Sequence, residues 1–171
     1  MQIYSQLTPL ALNGAAGSAV AMGYFDGIHR GHRAVIQGAV QWAQAHGACP
    51  ALFTFELPSG SRMKGKRLLS TQDKHALVQS LGVQHYLCPE FAAIQSLPPE
   101  KFVQDIVEDC QARALFCGEN FTFGAKAAGD PELLQALCRP LGVEVVVVPM
   151  AQYEDKPISS TRIRTALEGG D

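Results

Sequence analysis

The regular alternation of short apolar runs with helical segments is the feature that most constrains how this chain can fold. An apolar run at Ser18 to Gly23 precedes a helical pattern at Ala34 to Ala45, and a second strand-like run follows at Cys49 to Phe55. Gly47 lies where the helix is expected to end. Because parallel strands need a crossover connection, this order predicts a βαβ unit in a parallel sheet.

The same alternation continues to the end of the chain. Further strands are predicted at 83–87, 113–117 and 143–148, and further helices at 71–81, 98–110, from Asp130 onward and at 159–169. The valine run at 143–148 is typical of a central parallel strand that is buried on both faces. Five strands alternating with helices predict one open α/β sheet, in which ligands bind at the carboxyl ends of the strands.

The size and composition favour a single globular domain over residues 1–171. The chain is 47% hydrophobic and 18% charged, and its net charge of −2 argues against a bulk nucleic-acid binder. No signal peptide and no membrane span is expected, because the amino terminus lacks the charged-then-apolar pattern and the apolar runs are short. The odd number of cysteines, without a CxxC motif, predicts buried free thiols. We therefore expect a cytoplasmic protein.

The loop from Gly23 to His32 carries the first chemical signal. His29 and His32 are three residues apart at a predicted helix start, so they share one face. The first turn of that helix is expected to offer unpaired N–H groups and a partial positive charge. Gly31 would let a bulky anion approach the backbone. This pattern predicts a phosphate site with two imidazole donors; solvated or capping histidines and a metal pair are the alternatives, and no HExxH motif supports zinc.

The segment from Ile158 to Arg164 carries the second signal. Its hydroxyl side chains are expected at a helix start, where they usually act as caps. A capping box would need Glu or Gln three residues after a serine, but Arg162 and Ile163 occupy those positions. A bound phosphate can fill that place. Because Arg162 and Arg164 cannot both face one point on a helix, we assign the ligand to Arg164 and a surface or salt-bridge role to Arg162.

The glycine-rich stretch from Gly118 to Gly124 carries the third signal. Asn120 is a candidate to donate its amide to a phosphate or to hold a water on Mg²⁺. Phe121 and Phe123 are candidates to wall a flat ring. An ordinary turn with two core phenylalanines is the alternative, which we favour for Phe123.

These motifs together resemble those of a known enzyme family. An HxGH loop early in the chain and an ISSTxxR helix late in it resemble the nucleotidylyltransferase superfamily. The finer resemblance is to the adenylyltransferase domain of prokaryotic bifunctional FAD synthetases (riboflavin kinase/FMN adenylyltransferases). The residues behind it, in the order of that family, are GYFDGIHRGH at 23–32, Thr54-Phe55, LGV at 81–83, Phe102-Val103, GENFTFG at 118–124, Gly129-Asp130, ISSTRIR at 158–164, Ala166-Leu167 and Gly170-Asp171.

The resemblance implies a Rossmann-like, doubly wound, five-stranded parallel sheet with strand order 3-2-1-4-5. It also implies the reaction of Mg²⁺-ATP with FMN to give FAD and pyrophosphate. By resemblance, the catalytic residues are His29, His32, Asn120 and Arg164. The implied ATP-binding residues are Met22, Gly23, Tyr24, Phe25, Asp26, His29, Gly31, His32, Ser159, Ser160, Thr161 and Arg164. The implied FMN-binding residues are Phe55, Glu56, Leu57, Pro58, Asn120 and Phe121, and no residue is assigned as a resident metal ligand.

The sequence departs from the family pattern in three ways. Where relatives carry Thr-Phe-x-Pro-His-Pro, this chain has the segment from Thr54 to Gly60 without the histidine and one proline. Tyr24 stands where many relatives have a small residue. A riboflavin kinase domain is absent from residues 1–171, which leaves room for a separate riboflavin kinase as partner. Another phosphorylated acceptor and a catalytically silent nucleotide- or flavin-binding module therefore remain alternative hypotheses.

The basic segment 61–67 contains four cationic residues. A solvated, mobile loop is the usual interpretation of such a segment. The alternative is a flexible cover that helps bind the FMN phosphate or ATP.

Overall fold

A parallel sheet forms the centre of the protein. The computed structural model describes residues 1–58, 60–61, 67–153 and 155–170. Within these residues the sheet has six strands in the order β1-β4-β3-β2-β5-β6, and every pairing is parallel. The strands are β1 (Gln2–Tyr4), β2 (Ser18–Met22), β3 (Cys49–Phe53), β4 (His85–Leu87), β5 (Ala112–Gly118) and β6 (Glu144–Val148).

Helices connect the strands, and the sequence pattern predicts all those described except the short one at Phe91–Ile94. They are α1 (Arg30–His46), α2 (Thr71–Ser80), α3 (Phe91–Ile94), α4 (Pro99–Cys110), α5 (Pro131–Cys138) and α6 (Ser160–Glu168). A short antiparallel hairpin, β7 (Gln152–Tyr153) and β8 (Lys156–Pro157), precedes α6. In the described part of the chain, no helix is both long and apolar enough to cross a membrane.

The sheet is covered on both faces, which makes the fold doubly wound. On β2, Ala19 and Ala21 pack into a core with α1 and α2, whereas Val20 and Met22 pack into a second core with α4 and α5. Successive side chains of a strand point to opposite faces, so each strand contributes to both cores. The predicted α/β fold with a parallel sheet is therefore confirmed.

The prediction of a five-stranded sheet in the order 3-2-1-4-5 is wrong, because the sheet has a sixth strand. β1 pairs with β4, with Gln2 opposite His85 and Tyr4 opposite Leu87, and adds a strand at this edge of the sheet. Sequence analysis missed it because the three-residue strand has two exposed positions and no apolar alternation. Its pairing partner lies about eighty residues away, beyond the reach of any local pattern.

The valine run is also placed differently from the prediction. β6 lies at the edge of the sheet and not in its centre. Val145 to Val148 are only partly buried, and Glu144 is exposed and accepts a hydrogen bond from the Trp42 indole (Nε1 to Oε2, 2.9 Å). β-Branched residues indicate a strand, but they do not indicate its neighbours.

We expect a matched pair of glycine substitutions to separate backbone strain from crowding. Gly14 and Gly17 both have positive φ (87° and 81°), but a Cβ at Gly14 meets no atom within 4 Å, whereas a Cβ at Gly17 lies 2.7 Å from the Gln111 carbonyl oxygen. Gly14→Ala should lower the free energy of unfolding by about 1–2 kcal/mol. Gly17→Ala should lower it by a further ~1–3 kcal/mol through overpacking between β2 and β5.

Urea unfolding of both variants beside the parent protein measures this difference. Equal losses for the two variants would contradict the crowded position of Gly17.

Candidate functional site

One large cavity lies at the carboxyl edge of the sheet, where parallel strands all end. Its volume is about 1070 Å³, somewhat above the roughly 300–1,000 Å³ of common ligand sites. The loops after β2, β3, β5 and β6 and the start of α6 contribute to its wall.

His29 caps helix α1 with its own side chain. Its Nδ1 accepts hydrogen bonds from the backbone N–H groups of Gly31 (3.1 Å) and His32 (3.3 Å). A nitrogen that accepts hydrogen bonds carries no proton, so neutral His29 carries its proton on Nε2. Burial lowers the pKa of this imidazole, which favours the neutral form. His29 therefore offers a neutral N–H donor to the cavity.

This capping corrects the prediction that the first turn of the helix offers unpaired N–H groups. The N–H groups of Gly31 and His32 are already bound by His29. A Cβ at Gly31 would lie 3.0 Å from Cε1 of His29, so the glycine makes room for the capping ring as well as for an approaching anion. At the start of α1 the cavity is therefore lined by imidazole groups more than by unpaired backbone N–H groups.

His32 stacks on His29 and packs against Phe25. The two imidazole centroids are 3.6 Å apart, and the Phe25 ring meets His32 edge-on at 5.3 Å. Nδ1 of His32 is buried and has no hydrogen-bond partner among the described residues. Burial, with smaller contributions from His29 and Lys74, lowers the pKa of His32 to about 3. The ring is therefore neutral, and His32 contributes to the cavity wall.

The start of helix α6 lines the cavity and contacts Asp26 in the first loop. The Ser159 hydroxyl caps the helix by accepting a bond from the Arg162 N–H (3.1 Å), as hydroxyls at a helix start are expected to do. The Ser160 hydroxyl donates to the backbone carbonyl of Asp26 (2.6 Å). The Arg164 guanidinium forms an ion pair with the Asp26 carboxylate. Arg164 lines the cavity, whereas Arg162 donates to the Lys156 carbonyl (3.2 Å).

Aromatic rings form another part of the cavity lining. The Tyr24 and Phe55 rings are 5.0 Å apart, and Phe55 and Phe91 are 5.1 Å apart. Phe121 stacks at 5.7 Å on Phe123, which is buried in the core as expected. These apolar faces suit a flat aromatic ligand.

The model of a family described as FAD synthetase matches residues 13–162. The chain belongs to the FAD synthetase family.

Individual relatives agree with this membership. A candidate bifunctional riboflavin kinase/FMN adenylyltransferase of Geobacillus thermodenitrificans (strain NG80-2) is 32% identical over 91% of this chain and 85% of its own length. The bifunctional riboflavin kinase/FMN adenylyltransferase of Bacillus subtilis (strain 168) is 32% identical over 91% of this chain, but the match spans about half (51%) of its length. The structure of a macrolide-efflux protein from Streptococcus pneumoniae has the same fold (TM-score 0.80, 24% identity, 96% of this chain and 54% of that one).

The cavity brings together most of the residues that the FAD synthetase resemblance singles out. All twelve of the predicted ATP-binding residues line it, as do three of the predicted FMN-binding residues: Met22, Gly23, Tyr24, Phe25, Asp26, His29, Gly31, His32, Ser159, Ser160, Thr161, Arg164, Phe55, Asn120 and Phe121. Asn120 is exposed, and its amide nitrogen contacts the Met150 sulfur at 3.1 Å.

Three of the predicted FMN-binding residues lie elsewhere. Glu56, Leu57 and Pro58 are not among the described residues that line the cavity. Glu56 forms an ion pair with Arg67 (2.5 Å), and Leu57 is buried. Ser59, residues 62–66 of the basic segment and Asp171 lie outside the described residues.

Lys74 on α2 does not line the cavity but supports its first loop, and the sequence pattern did not indicate it. Its ammonium donates to the Tyr24 carbonyl (2.7 Å) and lies 5.1 Å from the centre of the Tyr24 ring. The Thr54 hydroxyl donates to the same carbonyl (2.8 Å). Burial lowers the pKa of Lys74. No motif surrounds this lysine, so only the contact between α2 and the first loop reveals it.

The buried imidazole of His32 predicts a specific loss of stability in acid. Its pKa is about 3 in the folded protein and about 6.5 in an unfolded chain, so between these values the unfolded chain binds a proton that the folded protein does not. The free energy of unfolding should therefore fall as the pH falls from about 6.5 to about 3, by up to ~1.4 kcal/mol per pH unit from this group. In His32→Leu the pH dependence should be shallower by a comparable amount.

Chemical unfolding at a series of pH values, with the parent protein as reference, checks this expectation. The same slope in both proteins would show that His32 does not contribute a buried neutral imidazole.

Proposed function

We propose that this protein transfers AMP from ATP to FMN and releases FAD and pyrophosphate. Membership of the FAD synthetase family supports this proposal, as do relatives named FMN adenylyltransferases and FAD synthetases. The observation that carries it is the single cavity whose wall includes the stacked histidines, the start of α6 and a set of aromatic rings. One end suits a triphosphate, and the other suits an isoalloxazine ring.

The chemistry requires two anions to meet. A phosphate oxygen of FMN attacks the α-phosphorus of ATP, and the bond from this phosphorus to the oxygen bridging to the β-phosphate breaks. That oxygen keeps the electron pair and leaves as part of pyrophosphate. The attacking phosphate is already anionic, so no general base is needed. Catalysis then consists of positioning and of stabilising the charge that develops on the leaving group.

We assign the charge stabilisation to His29, His32 and Arg164. Burial lowers the pKa of both imidazoles. His29 would act as a neutral Nε2–H donor because its Nδ1 caps α1, and a nearby triphosphate would raise the pKa of His32 because opposite charge favours the protonated form. Arg164 contributes a permanent cation. Ser159, Ser160 and Thr161 would add hydroxyl and backbone contacts to the β- and γ-phosphates at the start of α6.

We assign the contacts with the adenosine and with the flavin ring to other residues of the cavity lining. The segment from Met22 to Asp26 would hold the adenosine, with Gly31 behind the phosphates. The flavin would meet Phe55 and Phe121. Since Glu56 to Pro58 do not line the cavity, we propose that Phe55 alone makes the direct contact from that segment.

Mg²⁺ would enter the site with ATP. Among the described residues, no cluster of three or more His, Cys, Asp or Glu side chains could hold a metal ion. Mg²⁺ needs no such cluster, because it commonly binds substrate phosphates, waters and one or two protein oxygens. The amide nitrogen of Asn120 faces Met150, so its oxygen is the atom suited to a metal-bound water. The ion would neutralise phosphate charge.

We place the reaction in residues 1–171 as one adenylyltransferase domain and assign the supply of FMN to a separate riboflavin kinase activity. The Bacillus subtilis relative is named for both activities, and the chain spans about half of its length. The five cysteines are all free thiols, which agrees with the reducing conditions of the cytoplasm.

Incubation of the protein with ATP, Mg²⁺ and FMN should yield FAD, detected by chromatography, and pyrophosphate in equal amount. Other phosphorylated acceptors, such as pantetheine phosphate or glycerol phosphate, should yield no dinucleotide-like product. A folded protein that binds ATP but forms no FAD would reject FMN as the acceptor. ATP and FMN binding without pyrophosphate release would instead favour the silent binding module.

Two arginines on α6 offer a matched test of the phosphate site. Arg164→Gln should lower kcat/KM for FAD formation at least about tenfold, because it removes a charge-stabilising contact worth more than about 1.4 kcal/mol. His32→Ala should have an effect of similar size. Arg162→Gln is the control, since Arg162 does not line the cavity.

Steady-state kinetics with ATP and FMN varied separately provides the measurement. Equal kinetics for Arg164→Gln and the parent protein would remove Arg164 from the mechanism, and an equal loss for Arg162→Gln would indicate damage to α6 as a whole.

A further inference from the structure

We infer that Asp26 is a positioning residue that docks helix α6 on the first loop and fixes the orientation of Arg164 in the cavity. This role rests on the proposed function, in which Arg164 binds the triphosphate, and it differs from a direct contact between Asp26 and the nucleotide. The contacts of Asp26, the exposure of α6 and the backbone conformation of the loop support this role.

Asp26 joins three separate segments of the chain. Its Oδ1 accepts a hydrogen bond from the backbone N–H of Leu68 (3.0 Å), and its Oδ2 is paired with the Arg164 guanidinium. Its backbone carbonyl accepts from the Ser160 hydroxyl (2.6 Å). The residue is 3% exposed. Both carboxylate oxygens are therefore used within the protein, which suits a structural anchor better than a ligand contact.

Helix α6 depends on such polar contacts because it buries little apolar surface. It has no buried residue, and Leu167 is 62% exposed. A nine-residue helix is too short to be stable by itself in water. Two of its described side-chain contacts with the rest of the domain, those of Ser160 and Arg164, end on Asp26. The position of the helix is thus linked to one residue, through its carboxylate and its backbone carbonyl.

The ion pair also defines how Arg164 can act. The Arg164 side chain is 14% exposed and that of Asp26 is 4% exposed, so the pair is shielded from water. A guanidinium is planar and rigid, so the carboxylate oxygen that pairs with Nη2 restricts the directions of its other donors. A phosphate that enters the cavity would then meet a preorganised group, which is the arrangement that lowers the cost of binding.

The loop that carries Asp26 is itself held in an unusual conformation. Phe25 and Ile28 have positive φ (53° and 43°), although neither is glycine. Such conformations persist only where surrounding contacts determine them. His29 follows Ile28 directly. The contacts of Asp26 therefore connect the part of the cavity lined by His29 and His32 to the part lined by Arg164.

The substitution Asp26→Asn tests this role. It keeps the size and one acceptor oxygen but removes the charge that pairs with Arg164. We expect the backbone amides of 160–168 to exchange hydrogen at least tenfold faster in the absence of substrates. We also expect KM for ATP to rise at least tenfold, with a smaller change in kcat. Asp105→Asn is the matched control, because Asp105 pairs with Lys101 on α4 and does not line the cavity.

A double-mutant cycle shows whether Asp26 acts through Arg164. In the Arg164→Gln background, Asp26→Asn should change KM for ATP by less than threefold, because the positioned group is already absent. The same tenfold loss in both backgrounds would overturn the inference. So would parental amide exchange in Asp26→Asn.

Two further measurements keep the test decisive. If Asp26→Asn fails to fold, Ser160→Ala replaces it, because it removes the other bond from α6 to Asp26, and unchanged exchange of 160–168 in that variant would overturn the inference. If the parent protein makes no FAD, the proposed function fails by itself. Amide exchange and the calorimetric Kd for ATP still test the docking of α6 and the positioning of Arg164 without any acceptor.

Discussion

The parallel direction of the strands is the constraint on which the site depends. Since β2, β3, β5 and β6 all run the same way, the loops that follow them leave the sheet at one edge. These loops carry the stacked histidines, Phe55, Asn120 and the segment that leads to α6. A single cavity with a polar wall and an aromatic wall follows from this topology, and an adenylyltransferase needs that combination to hold a triphosphate beside a flavin.

Among the described residues, periodicity and turn residues were sufficient to predict β2 to β6 and all the α-helices except α3, but not β1 or the β7–β8 hairpin. What they did not predict is pairing over long distances: the partner of β1, the edge position of β6 and the contact of Lys74 with the Tyr24 carbonyl. The histidine and arginine motifs could be found in sequence because their spacing is local. Their hydrogen-bond partners could not, since the Asp26–Arg164 pair joins residues 138 positions apart.

Both helix starts at the cavity are capped by their own side chains, His29 on α1 and Ser159 on α6. Capping satisfies only some backbone donors of each first turn, those of Gly31 and His32 on α1 and that of Arg162 on α6. The other polar groups at these helix starts are side chains: two histidines, whose protonation can change, and Arg164, which keeps its charge. Under the proposed function, phosphate recognition would therefore depend on a few side chains as well as on the helix ends.

The charge balance within the cavity explains why the histidines, Asp26 and Arg164 can lie close together. Burial keeps His29 and His32 neutral, so their rings can stack at 3.6 Å without repulsion. Asp26 balances Arg164 in the same way. Under the proposed function, a bound triphosphate would supply the opposite charge that favours a protonated His32, while His29 would stay neutral because its Nδ1 caps α1. The positive charge of the site would then rise only when phosphates are present to offset it.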